Sequence, residues 1–205
     1  GDPALNPDNT PLSWTQLGTD ILGDAGGDNS GYSVSLNDDG SILAIAAPFN
    51  DTNGSNSGQV RIYNLQNGSW TQLGNHIDGS AFFDNIGYSV SLSDDGSILA
   101  IAAPFNSANG SYAGEVKIFE YQTGTNMWTQ LGTDILGDAA FDYSGWSVSL
   151  SNDGTRVAIG ATGNDANGNA DSGQVRIFEL TPDNTGGPDN TGDPTLNPDN
   201  TGDPD

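Results

Sequence analysis

Apolar and polar residues alternate with a period of two in short runs along most of the chain, and no long stretch has helical spacing. In GYSVSLN (31–37), Tyr32, Val34 and Leu36 fall on one face and Ser33 and Ser35 on the other, which predicts a half-buried strand. Asp38-Asp39-Gly40 follows as a tight hairpin turn. SILAIAAP (41–48) is almost continuously apolar, as expected of a strand covered on both faces. After a Gly/Asn/Ser-rich loop, GQVRIYNL (58–65) alternates at Val60, Ile62 and either Tyr63 or Leu65. The short run WTQLG supplies a fourth strand.

WTQLG occurs three times, from Trp14, Trp70 and Trp128, at spacings of 56 and 58 residues. Each occurrence opens a copy of the same pattern, at 14–69, 70–127 and 128–180, with length differences confined to Gly/Asn/Ser-rich segments. A period slightly above 50 residues predicts stacked supersecondary units, each too small to fold alone. Four short antiparallel strands per unit describe a propeller blade. The predicted fold is therefore all-β, with three tandem four-stranded antiparallel blades over 14–180. Residues 1–13 and 181–205, rich in Asp, Asn, Pro, Thr and Gly, offer little to bury and are expected to be linkers.

The units resemble FG-GAP repeats, the blades of the integrin α-subunit propeller and of many bacterial and algal surface proteins. The resemblance rests on Asp28-x-x-Gly31-x-Ser33-Val34, Asp84-x-x-Gly87-x-Ser89-Val90 and Asp142-x-x-Gly145-x-Ser147-Val148. It rests equally on the Ala-Ala-Pro closing the second strand at 46–48 and 102–104, which the third copy replaces with Gly160-Ala161-Thr162. It covers nearly all of 14–180 and implies the propeller fold, since such blades host many activities. The implied home is extracellular, at a cell surface.

Each copy begins with the strand that closes the blade before it. The chain thus supplies the outer strand of one blade, two complete blades, and three strands of a last one. Three blades lie below the four that a closed ring needs, and an open arc leaves strand edges unpaired. Completion from outside is expected, with residues 14–18 pairing with 174–180 of a neighbouring chain or module. A two-chain, six-bladed ring, a head-to-tail filament and a longer tandem array all satisfy that demand. The near-identity of GDPALNPDNT (1–10) and GDPTLNPDNT (192–201) favours an array or a filament. Gly1 in place of an initiator Met reads as a processed or excised chain.

Charge narrows the partners. Four basic residues face 27 acidic ones for a net charge of −23, which repels phosphate backbones and anionic lipid surfaces. Neither nucleic-acid binding nor membrane insertion is expected. There is no cysteine, hence no disulfide framework. No catalytic set is recognisable: the one histidine, His76, stands where the other copies have Asp20 and Asp134, and reads as a solvated loop residue. The Asp38–Asp39 pair reads as turn chemistry. The chain is expected not to be an enzyme.

Three kinds of binding or modification site remain. Calcium wants six to eight oxygens from a short loop, and Asp165-x-Asn167-x-Asn169-x-Asp171 offers an alternating array; the first copy has the weaker Asp51-x-Asn53-x-Ser55-x-Ser57, and the second, Ser107-x-Asn109-x-Ser111-x-Ala113, has no carboxylate. Calcium-binding FG-GAP blades carry an Asp-rich nonapeptide between their first two strands, where this chain has only NDDG, DDG or NDG, so the family's metal site does not carry over. Asn53, Asn67 and Asn109 each head an Asn-Gly-Ser acceptor pattern for N-glycosylation. Tyr32, Tyr88 and Trp146 recur at one blade position; packing between blades explains them, and the alternative is a platform for surface glycans, as in a propeller lectin.

Overall fold

In the computed structural model, residues 12–165 and 168–181 are described; the repeated decapeptides at the two ends lie outside them. These residues form strands, turns and loops, with no helix. The first sheet has the order β1 (Ser33–Leu36), β2 (Ile42–Ala47), β3 (Gln59–Gln66), β4 (Ser69–Gln72), and β5 (Ile77–Asp78) also pairs with β3. The second repeats it with β6 (Ser89–Leu92), β7 (Ile98–Ala103), β8 (Glu115–Gln122) and β9 (Met127–Gln130), and β10 (Ile135–Leu136) pairs with β8. The third stops at three strands, β11 (Ser144–Leu150), β12 (Arg156–Ala161) and β13 (Gln174–Glu179). All of these pairings are antiparallel.

The sheets straddle the sequence copies as expected. The second WTQLG closes the first blade, with Leu65 opposite Trp70, and the third closes the second, with Tyr121 opposite Trp128. The first WTQLG belongs to no strand. The two-residue strands β5 and β10 have no signature in the alternation; they form where Ile77 and Ile135 reach back to Val60 and Val116 of the preceding blade.

The core lies between the sheets. Ala44, Ala46, Val60 and Ile62 of the first blade meet Val90, Leu92, Leu99, Ile101 and Trp128 of the second. A smaller cluster, built on Ala100, Ala102, Val116, Val157 and Ile159, joins the second blade to the third. Small residues on the second strands let adjacent sheets approach, and the larger β-branched side chains fill the space between.

The Ser-x-Ser of each first strand links the blades. The N–H groups of Val90 and Leu92 donate to the hydroxyls of Ser33 and Ser35 at 3.1 and 3.0 Å. Val148 and Leu150 repeat this with Ser89 and Ser91. Serine at these positions satisfies backbone donors that an edge strand would otherwise leave open. Asp38 N–H to Asp94 carbonyl (3.0 Å) and Asp94 N–H to Asn152 carbonyl (2.8 Å) join the hairpin turns in the same way.

Candidate functional site

The Asp of each Asp-x-x-Gly-x-Ser-Val motif is structural. Asp28, Asp84 and Asp142 are buried and accept from the side-chain amides of Asn50, Asn106 and Asn164 at 2.8, 3.1 and 2.9 Å. These pairs tie the approach to each first strand to the loop after the second. The motif glycines report whether a blade lies in front. A methyl group on Gly87 would come within 2.8 Å of Ala46 Cβ, and one on Gly145 within 2.9 Å of Ala102 Cβ, whereas Gly31 has nothing within 4 Å.

Both ends of the arc are therefore open, and the exposed residues match the buried ones of the internal junctions. At the front, Val34 and Leu36 are exposed while their counterparts Val90 and Leu92 are buried. At the back, Val175 and Ile177 are exposed while Val60 and Ile62 are fully buried. Strand β13 also carries Gln174 Oε1 and Arg176 Nε, buried without a hydrogen-bond partner.

Between the second and third blades, beside β13, lies a cavity of about 710 Å³, lined among others by Ile118, Leu131, Gly132, Leu150, Phe178 and Leu180. The equivalent seam between the first two blades is filled by Trp128, 3% exposed, whose indole N–H donates to the Leu73 carbonyl at 3.0 Å. Trp70 makes the same bond to the Leu17 carbonyl, at 3.0 Å, at the front of the first blade. Trp14 is fully exposed.

Tyr32, Tyr88 and Trp146 do meet from blade to blade, but at the surface of the seams: Tyr32 and Trp146 are 44% and 40% exposed, and Tyr88 is half-buried. They sit just ahead of, or within, the first strands and form a ladder across the three blades. Centroids are 4.9 Å apart from Tyr32 to Tyr88 and from Tyr88 to Trp146, with ring planes tilted by 49° and 53°. Phe49 and Phe105 brace the ladder edge-on at 5.9 and 5.4 Å. Burial, aided by a hydrogen bond with Tyr32, pushes the Tyr88 hydroxyl up to about 12. The third copy has Gly163 in place of Phe49 and Phe105, leaving a depression of about 420 Å³ beside Trp146 that Asp171 also lines.

In the loop singled out for calcium, Asp165 Oδ1 accepts from Asp171 N–H at 2.7 Å. Asp51 Oδ1 does the same for Asn56 N–H and Ser107 Oγ for Tyr112 N–H, so the position closes the loop in all three copies. Asp171 takes the left-handed backbone (φ 51°) shared by Asn56 and Tyr112. Asn169 is exposed in this loop, and Asn167 lies outside the described residues. Among the described residues no three His, Cys, Asp or Glu side chains gather to hold a metal ion.

The three glycosylation asparagines part company. Asn53 and Asn109 spend their amides on the carbonyls of Gly79 and Gly137, at 2.8 and 2.7 Å, stapling one blade to the next. Asn67 sits exposed at the β3–β4 turn with a left-handed backbone. His76 is half-exposed, 3.2 Å from Asp78. Asp39 accepts from Ser41 N–H, as turn chemistry requires, and the bonds from Ser41 hold its carboxyl below the usual range.

Every basic side chain is in an ion pair: Arg61 with Asp24, Lys117 with Glu115 and Asp134, Arg156 with Glu179, and Arg176 with Asp138. Sequence reasoning passed over Glu115. It is buried on β8, where the other copies have Gln59 and Gln174, and accepts from Asn106 at 3.3 Å and Lys117 at 3.0 Å. Burial pushes its carboxyl up to about 7 against the opposing pull of Lys117. The substitution of Glu for Gln at one repeat position was the available signal.

Comparison with known proteins agrees with this architecture. Residues 137–178, from just after β10 to Phe178 in β13, match the FG-GAP repeat. No curated protein sequence matches the chain. Among solved structures, a candidate 6-phosphogluconolactonase of Bacteroides fragilis aligns with a TM-score of 0.56 at 17% identity, over 88% of this chain and 43% of its own. A complex of KlAtg21 with the coiled coil of AgAtg16 gives 0.50 at 16% identity, over 72% and 39%. The β-propeller domain of Cps50 (Swd1) from Myceliophteria thermophila gives 0.44 at 17%, over 73% and 35%. The chain spans less than half the length of these structures, and the likeness to the first two is one of fold.

Proposed function

We propose that this chain is a non-catalytic, extracellular structural or adhesive module that completes its propeller with other copies of itself, residues 14–18 of one copy adding to residues 174–180 of the next. One observation carries the reading: the two ends of the arc are open, and each exposes the residues that its counterpart buries at the internal junctions. Val34, Leu36 and Gly31 at the front correspond to Val90, Leu92 and Gly87, which pack against the preceding blade. Val175 and Ile177 at the back correspond to Val60 and Ile62, which receive the following one. Such a contact is head-to-tail, and it either closes into a two-chain, six-bladed ring or propagates as a filament or tandem array.

The surface chemistry supports partners without phosphate. With a net charge of −23 and each cationic group already paired, little favours nucleic acid or an anionic membrane. Deleting residues 1–18 tests the assembly: the truncated chain should remain soluble at reduced stability and sediment as a single copy. Association of the truncated chain at the strength of the intact one would refute it.

A second reading, glycan binding, draws on the exposed faces of Tyr32 and Trp146, since sugars stack on such rings. A glycan array probed with the chain and with its Trp146→Ala variant tests that reading. Binding that disappears in the variant supports it, and the absence of any binding refutes it. Calcium at Asp165, Asn167, Asn169 and Asp171 stays a proposal of lower rank, because Asp165 already closes its own loop. Calorimetric titration with calcium of the chain and of Asp171→Ala decides it: equal heats end the idea.

A further inference from the structure

The cavity between the second and third blades has the form of a binding site for an extended peptide, and we infer that its ligand is the segment Trp14-Thr15-Gln16-Leu17-Gly18 of a second copy, with Trp14 as the anchor. The inference rests on the strand-exchange reading and adds to it a defined seat, register and anchoring residue. Internal repetition supplies the template, because the same seat is filled at two other places in the chain.

Three glycines mark the seat. A methyl group on Gly18 would come within 3.1 Å of Trp70 Cδ1, and one on Gly74 within 3.0 Å of Trp128 Cδ1. All three glycines share one backbone conformation, with φ of 72°, 73° and 73°, yet Gly132 has nothing within 4 Å. Gly132 lines the cavity, next to Leu131. The indole N–H of Trp70 goes to the Leu17 carbonyl and that of Trp128 to the Leu73 carbonyl, so the Leu131 carbonyl is the corresponding acceptor for an incoming tryptophan.

Register follows from the same template. Tyr63 faces Gln72, Asn64 faces Thr71 and Leu65 faces Trp70; Phe119 faces Gln130, Glu120 faces Thr129 and Tyr121 faces Trp128. The third blade offers Phe178, Glu179 and Leu180 in these places, to be met by Gln16, Thr15 and Trp14. The N–H of Leu73 and Leu131 donate to the carbonyls of Ile62 and Ile118, so the N–H of Leu17 is matched to the carbonyl of Ile177. The chain's own Trp14 segment cannot fill this seat: Leu17 is bonded to Trp70 at the front of the first blade, the opposite end of the arc.

The test uses the full-length chain carrying Trp14→Ala, which keeps the cavity and removes its competing occupant. A fluorescently labelled peptide of residues 12–22 is titrated into it and followed by anisotropy. Saturable binding at one peptide per chain is expected, with affinity falling about tenfold or more when the peptide's tryptophan is replaced by alanine. The same loss is expected on adding Leu180→Asp to the chain, at a residue already 51% exposed and therefore tolerant of the change. No binding, or binding indifferent to the peptide's tryptophan and to Leu180→Asp, overturns the site. Peptide binding as described by a chain whose native form stays a single copy upholds the site and overturns the assembly. Association of the native chain with a tryptophan-indifferent peptide upholds the assembly and overturns the site.

Discussion

Trp128 and Trp14 open the same five-residue run, yet one is 3% exposed and the other lies wholly in solvent. Around Trp128 the seam between the first and second blades is closed, with a strand edge paired and an indole bonded to the preceding copy. At the seam between the second and third blades the Leu131-Gly132 pair recurs in place of Leu73-Gly74, while Leu180 stands for Tyr121 and Thr133 for Asn75, and a cavity of about 710 Å³ takes the place of the strand and the tryptophan. The two seams share the glycine and the leucine carbonyl that meet the indole and differ most in occupancy. Repeat positions thus show where one seam has what the other lacks.

The most drastic way to break the comparison is to empty the closed seam. Trp128→Ala should destabilise the fold by about 3–5 kcal/mol, since it removes a buried aromatic side chain and leaves a cavity. Trp14→Ala should leave the stability of a single copy unchanged within about 0.5 kcal/mol, because that side chain makes no burial there. Urea unfolding of both variants at a concentration where the chain is dilute checks the contrast.

Titration sharpens it next. The completed second blade holds Glu115, with its carboxyl raised to about 7, where the first and third have uncharged glutamines. A carboxyl raised on folding contributes stability that is fully present below its unfolded pKa and is lost as pH rises through the folded one. The native chain should therefore lose stability between about pH 4.5 and 7.5, by on the order of 2–3 kcal/mol at most. Glu115→Gln should flatten this part of the curve, which thermal melts across the window will reveal.

Smaller effects are expected at the open edge. Ile177→Lys should cost a single copy about 0.5 kcal/mol or less, whereas Ile62→Lys, at the fully buried equivalent, should prevent folding. Smallest of all, secretion through a glycosylating host should place sugar on Asn67 in preference to Asn53 and Asn109. The latter two would each surrender an amide bond to Gly79 or Gly137, worth about 1 kcal/mol. Site-by-site mass spectrometry of the secreted chain reads the occupancy.

Much of the blade was legible because alternation and turn chemistry are local. The strands at 33–36, 42–47 and 59–66, the tight turn at 38–40 and the lending of WTQLG across copies all follow from short-range pattern. What escaped depends on neighbouring blades. Tyr32, Tyr88 and Trp146 have the spacing of packed residues and do meet across blades, but the spacing does not say that the ladder they form leaves Tyr32 and Trp146 partly in solvent. Strands β5 and β10 exist because an isoleucine from one copy reaches a valine of another. Asp165 offered a ligand-like pattern, but a carboxylate that closes its own loop reads the same in sequence as one that waits for a cation.

Whether another copy fills the open seam is read from the native mass of the intact chain over a range of micromolar to millimolar concentrations, by sedimentation and native mass spectrometry. Masses at multiples of 21.1 kDa are expected, with a closed pair or a growing series according to whether the head-to-tail contact closes, and a return to one copy on Trp14→Ala. An intact chain that stays at 21.1 kDa across the whole range would contradict the filling of the seam by another copy.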